Sequence, residues 1–293
     1  MRIVFIGSVL FSYYTLEKLI DLQAEIVGVC TKENSPFNSD FKSLFPLCKQ
    51  YNIPCIEVES LNTQESFKWI QSKKPDIIFC FGWSSLLKKE LLELPPMGVV
   101  GFHPTALPQN RGRHPLIWAL VLGLKQSAST FFIMDEGTDS GAILSQQTFP
   151  IDYHDNAQSL YDKVTKIALS QIESFLPKLQ TKTYQLFPQE DSLANSWRKR
   201  TQFDGIIDFR MGSYAIYNLV RALSKPYSGA SLRYKDKLIS VFKVEEIKVD
   251  LPHIEYGKVL KVNQNEVVVK CYDNAIKIVE HNFTTLPKVG EYL

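Results

Sequence analysis

The sequence predicts an α/β fold, a doubly wound and mostly parallel sheet, followed by a smaller β-rich domain. Two observations predict the first part. Short apolar runs at residues 3–6, 26–30, 77–81 and 99–102 alternate with helical patterns at 14–22, 41–51, 64–71 and 116–122. That alternation gives parallel strands with helices on both faces. A third observation separates the second part. After Lys182 the chain turns polar and Pro-containing at 185–195, then shows one helical pattern at 214–223. Short strand-like runs follow at 231–234, 238–244, 258–260, 267–270 and 275–279. The polar tract reads as a linker and the strand runs as a small β-barrel-like, OB-like domain. The expected division is 1–184 and 195–293.

Each element has its reason. The run Arg2-Ile3-Val4-Phe5-Ile6 is too short for a signal-peptide core and ends in Gly7-Ser8 without a cleavage-like tail, so it reads as a buried first strand. Gly7-Ser8-Val9-Leu10-Phe11-Ser12 keeps only the first glycine of G-x-G-x-x-G, which argues against a dinucleotide site. It leaves an ordinary strand-to-helix turn, or helix-start amides that face a ligand. Phe81-Gly82-Trp83 leaves a central strand. It is either a Gly turn with a packing Trp or a flat apolar face for a heteroaromatic ligand. The amphipathic stretch at 156–179 supplies a closing helix over the sheet.

Composition excludes several classes. Hydrophobic residues make up 45% against 22% charged, which suits a globular chain rather than a disordered one. A net charge of +2 gives no reason to expect a nucleic-acid partner, and no segment has the length of a membrane span. The five cysteines (Cys30, Cys48, Cys55, Cys80 and Cys271) are odd in number and lack CxxC spacing. They read as small core residues in a reducing, cytoplasmic compartment. No His/Cys/Asp cluster has metal-ligand spacing, so no metal is expected.

Two segments carry the chemistry. One is Gly101-Phe102-His103-Pro104-Thr105-Ala106-Leu107-Pro108-Gln109-Asn110-Arg111-Gly112-Arg113-His114-Pro115, where a histidine ends an apolar strand and a Pro-rich loop begins. The other is Met134-Asp135-Glu136-Gly137-Thr138-Asp139-Ser140-Gly141, a Gly-bounded acidic turn after another apolar run. Its acidic residues lack calcium-loop spacing and partly reflect turn chemistry. From neighbouring strand ends His103 and Asp139 can meet. The aspartate would then fix the imidazole tautomer while the other ring nitrogen handles a substrate proton.

Together these segments resemble the formyltransferases that use N10-formyltetrahydrofolate. The likeness runs almost end to end. In the second domain Asn195-Ser196-Trp197-Arg198-Lys199-Arg200, Asp204-Gly205-Ile206-Ile207-Asp208 and Arg221-Ala222-Leu223-Ser224-Lys225-Pro226-Tyr227 carry it. The resemblance implies a Rossmann-like catalytic domain, N10-formyltetrahydrofolate as co-substrate, and His103 and Asp139 as the catalytic pair. It places the folate against Phe81, Gly82, Trp83, Leu86, Asp135 and Glu136. It places the acceptor against Ser8, Thr105, Asn110, Arg111, Arg113, Arg198 and Arg200, with the arginines meeting a diphosphate.

One departure matters. The family pattern is Asn-x-His, and Gly101 stands where the asparagine amide would hold the formyl oxygen. Thr105, Asn110, a backbone N–H or a water are the replacements to examine.

Among acceptors, the tRNA-modifying members share a basic loop after the second strand, whereas residues 31–41 here carry only Lys32, Glu33 and Asp40. The string at 101–115 most resembles formyltransferases of UDP-amino-sugar pathways, including the pseudaminic-acid type. The expected acceptor is thus a nucleotide-linked 4-amino-4,6-dideoxy sugar. Methionyl-tRNA, or a non-catalytic role binding folate or a nucleotide sugar, are the alternatives. A homodimer is left open.

Overall fold

A computed structural model describes residues 1–34 and 40–293. Part of the weakly charged segment 31–41 therefore lies outside the described residues. In chain order the first elements are β1 (Arg2–Ile6), α1 (Leu10–Asp21), β2 (Glu25–Thr31), α2 (Phe45–Gln50), β3 (Cys55–Glu57), α3 (Gln64–Ser72) and β4 (Ile77–Cys80). They continue with α4 (Lys89–Leu92), β5 (Val99–His103), β6 (Arg111–Gly112), α5 (Pro115–Val121), β7 (Gln126–Ile133), β8 (Ile143–Pro150) and α6 (Ala157–Gln180). The rest comprises β9 (Ser196–Trp197), α7 (Ser213–Leu223), β10 (Ala230–Tyr234), β11 (Lys237–Ile247), β12 (Val259–Asn263), β13 (Glu266–Lys270) and β14 (Ala275–His281).

Two compact units result. One comprises Met1–Gly112, Ser127–Phe149 and Asp162–Trp197; the other comprises Arg113–Gln126, Pro150–Tyr161 and Arg198–Leu293. The first unit holds a seven-stranded sheet in the order β3-β2-β1-β4-β5-β7-β8. Strands β3, β2, β1, β4 and β5 pair in parallel. Ile3, Val4, Phe5 and Ile6 are all fully buried, as a central parallel strand covered on both faces requires. The strand order reverses between β2 and β4 around β1, which opens a crevice at the carboxyl ends of β1 and β4. Phe81 fills the core beneath that crevice. Its ring lies 5.3 Å from Phe79 and 5.2 Å from Phe131, and Phe131 lies 5.0 Å from Phe175 of α6. The expected closing helix thus locks onto the sheet through Phe175.

Strand β7 runs antiparallel to β5, with Val100 opposite Ile133 and His103 opposite Thr130. Strand β8 was not anticipated. Its buried positions are Leu144 and Phe149, separated by the polar stretch Ser145-Gln146-Gln147-Thr148, which masks a strand pattern. Four of the five cysteines fit their expected place in the core: Cys30, Cys48, Cys80 and Cys271 are buried, whereas Cys55 is half-buried, and burial pushes the Cys80 and Cys271 thiols up to about 12.

The second unit holds an antiparallel sheet in the order β10-β11-β14-β13-β12. Helix α7 buries Ile216, Leu219 and Val220 in the same cluster as Val241, Val244 and Ile278. From α7 the buried Arg221 guanidinium donates to the carbonyls of Asp152, Tyr153 and Asp155. Its charge is thereby met by backbone carbonyls.

Candidate active site

His103 closes β5 and is 5% exposed. Its Nε2 lies 2.8 Å from the carbonyl oxygen of Asn110. A carbonyl only accepts, so Nε2 carries the proton and Nδ1 is the nitrogen left for proton transfer. Asp139 Oδ2 lies 3.6 Å from Nδ1 and also accepts from the Gly112 backbone N–H at 2.9 Å. The division of labour thus differs from the sequence expectation. A loop carbonyl fixes the tautomer, and the carboxylate stands beside the reactive nitrogen.

The pair does not meet at adjacent strand ends. Because β7 is antiparallel, its exit lies level with the start of β5, where Met134 N donates to Val99 O at 2.7 Å. The Asp turn must therefore fold back along β5 to reach His103. Asp135 Oδ1 ties the turn together by accepting from Gly137 N and, across it, from Ser140 Oγ. At Gly141 a Cβ would sit 1.7 Å from Ile133 O, so only glycine permits the return.

The loop after His103 is held by its carbonyls. Ser127 Oγ donates to Pro104 O, Thr130 Oγ1 to Thr105 O, Gln146 Nε2 to Leu107 O and Thr105 Oγ1 to Gln109 O. Gln146 also reaches Thr130 Oγ1 at 3.0 Å. The last carbonyl of this series, at Asn110, receives His103. Sequence reasoning missed Ser127, Thr130 and Gln146, whose bonding partners lie 16 to 39 residues away.

The other expected residues divide by environment. Thr105 is fully buried and its hydroxyl is committed to Gln109. Asn110 sits at φ +65°, and among the described residues its side-chain amide has no hydrogen-bond partner. Arg111 donates to Gln189 Oε1 and pairs with Asp191 at 2.7 Å. Arg113 is exposed. Arg198 and Arg200 belong to the second unit, where both stack on Trp118 and both bind Asp204. Nearby, burial and the Arg113 and Arg200 charges push the His114 imidazole below its ordinary range, and its Nδ1 accepts from Arg200 N. Ser8 is buried, and its carbonyl accepts from Lys42 N.

Around the crevice, Phe81 gives its ring to the core and its carbonyl to Ser12 Oγ at 2.6 Å. Gly82 turns the chain at φ +72°. Trp83 is half-buried under Lys32, and its Nε1 has no partner among the described residues. Leu86 is 62% exposed. Asp135 and Glu136 line a cavity of about 480 Å³ with Lys89, Leu92, Glu93 and Met134. Glu136 pairs with Lys89 at 3.3 Å, and Met134 and Trp83 pack on one apolar cluster.

Gly101 shares the face of His103, two residues away on β5. A Cβ there would lie 2.8 Å from Met134 Cγ and 3.0 Å from Phe132 Cζ. The space a side chain would need at this position is filled. Gly101→Asn is expected to destabilise by about 1–3 kcal/mol through overpacking. Urea unfolding of that variant and of Gly101→Asn/Met134→Ala checks it: the second change should recover part of the loss.

A formyl transferase family model matches residues 1–174, and a model of the formyl transferase C-terminal domain matches residues 199–288. A methionyl-tRNA formyltransferase of Kosmotoga olearia is 32% identical, covering 97% of this chain and 92% of its own. That of Caldanaerobacter subterraneus subsp. tengcongensis is 31% identical, covering 100% and 96%. Among solved structures, an N-formyltransferase from Helicobacter canadensis, in complex with folinic acid and dTDP-3-aminofucose, superposes with a TM-score of 0.74 at 19% identity. It covers 96% of this chain and 100% of its own. A sugar 3N-formyl transferase solved with dTDP and 5-N-formyl-THF gives 0.73 at 19% identity, covering 98% and 99%. With both models matched over most of its length, the chain belongs to the formyl transferase family.

Proposed function

We propose that the chain transfers the formyl group of N10-formyltetrahydrofolate to the amine of a nucleotide-linked amino sugar, with His103 as the base. The residues present fit a folate. The cavity beside Met134 has an apolar wall and a carboxylate rim at Asp135 and Glu136. Trp83, which packs on the same apolar cluster, has an N–H donor without an acceptor among the described residues. The folate supplies a formyl carbon open to attack. His103 Nδ1 takes the proton that the attacking amine gives up, and Asp139 favours the charged imidazole that results. The Asn110 amide replaces the missing asparagine as donor to the formyl oxygen, since the Thr105 hydroxyl is engaged elsewhere.

The observation that carries the acceptor is charge. Residues 31–41 hold one lysine against two acidic residues, and the whole chain is only +2. A polyanionic acceptor draws its affinity from dense Lys/Arg contacts. Arg113, exposed and next to the Gly112 amide that holds Asp139, suits a diphosphate. A second reading, methionyl-tRNA as acceptor, is favoured by the relatives at 31–32% identity. Basic side chains also outnumber acidic ones from Arg198 onward.

Formyl transfer from N10-formyltetrahydrofolate, followed by mass spectrometry with UDP-, GDP- and dTDP-linked 4-amino-4,6-dideoxy sugars and with methionyl-tRNA, separates the two. A formylated nucleotide sugar is expected; efficient tRNA formylation with no response to any nucleotide sugar reverses the choice. His103→Ala should abolish turnover in a folded protein, and retention of more than a tenth of it removes the base assignment. Asn110→Gly keeps the backbone carbonyl and the positive φ but deletes the amide. It should slow turnover at saturating substrates by tenfold or more, about 1.4 kcal/mol of barrier.

A further inference from the structure

We propose that Gln189 is a positioning residue that sets the separation of His103 and Asp139. It lies on a segment whose sequence reads only as a linker. The claim rests on the assignment of His103 as base with Asp139 beside it.

The argument begins with a mechanical need. The Asp turn folds back along β5, and Asp135 Oδ1 ties it internally at Gly137 N and at Ser140 Oγ, while the backbone carbonyls that flank Ser140 need donors from outside the turn. The returning half carries Asp139. Gln189 Nε2 donates there twice, to Asp139 O at 2.8 Å and to Gly141 O at 2.7 Å. At its other end Gln189 Oε1 accepts from Arg111 Nε at 3.2 Å and Nη2 at 2.9 Å. Arg111 precedes Gly112, whose N–H holds the Asp139 carboxylate. One amide therefore joins the Asp turn to the His loop and closes a ring of contacts around the reactive pair.

The amide is itself anchored. Phe187 exchanges backbone hydrogen bonds with Ile143 at 2.8 and 2.9 Å, fixing the chain two residues before Gln189. On the other side Asn195 Oδ1 accepts from Asn110 N and Asn195 O from Arg111 N, while β9 pairs with β6. Gly112, at φ +105°, allows the close approach, because a Cβ there would sit 2.3 Å from Trp197 O. Gln189 is half-buried between exposed neighbours, which marks it as engaged rather than solvating. An amide is the group this position needs, since it offers two N–H donors to the carbonyls and an oxygen to the guanidinium.

The test compares Gln189→Ala and Gln189→Glu with wild type, using N10-formyltetrahydrofolate and whichever of UDP-4-amino-4,6-dideoxyglucose and methionyl-tRNA the wild type formylates. Gln189→Ala should lower kcat tenfold or more while KM for the folate stays within about twofold. Gln189→Glu keeps the Arg111 partner but turns an oxygen toward two carbonyls, so it should be at least as slow. In an Asp139→Asn background the further loss from Gln189→Ala should shrink to threefold or less, because the residue acts through Asp139. Turnover within twofold of wild type in both single variants overturns the proposal, as does a loss that is fully additive with Asp139→Asn. Failure of the base assignment is read separately, from turnover in His103→Ala; Gln189 is then judged on the double-mutant comparison alone.

Discussion

Thr130, and not the end of its strand, lies opposite His103, and the rest of the site is arranged around that register. An antiparallel partner puts the exit of β7 at the wrong end of β5 for a carboxylate to meet the histidine. The chain answers with a tight turn that doubles back, a glycine where the return grazes Ile133 O, and ties from outside the turn. Had β7 been parallel, Asp139 could have met His103 with an ordinary strand-end loop.

The second constraint is the need of loop carbonyls for donors. A loop that is not part of the sheet ladder leaves its C=O groups to be satisfied by side chains or water. Here Ser127, Thr130, Gln146 and Thr105 take all but the last of the series, and His103 takes Asn110 O. The imidazole is thus one member of a continuous polar frame. Its tautomer follows from backbone geometry and does not depend on the ionisation of Asp139.

Much of the fold was legible because buried parallel strands leave dense apolar runs. Residues 3–6 and 77–80 could hardly be read otherwise, and the change of texture after Lys182 marked the second sheet. His103 and Asp139 were legible because each stands in a distinctive string beside glycine and proline. Gln189 and Asn195 were not. They lie in a polar tract with Pro188, and a glutamine bonding at sequence separations of 48 to 78 looks the same in sequence as one facing water. Gln146 was hidden for a related reason, since it sits in the polar middle of β8. The fate of Arg111 was equally invisible. A guanidinium expected at a phosphate is spent on Gln189 and Asp191.

The lock on Nε2 has a consequence for where hydrogen atoms travel. An imidazole with both nitrogens open can pass a proton through the ring to bulk water, but His103 has one open side. Under the proposed chemistry, a proton taken by Nδ1 must leave from Nδ1. When the bond between the formyl carbon and N10 breaks, N10 requires a proton, and the nearest is the one just removed from the amine. The hydrogen lost by the acceptor would then reappear on tetrahydrofolate within the same turnover. The ring would act as a shuttle between the two substrates through Nδ1, its Nε2 side being held by the Asn110 carbonyl.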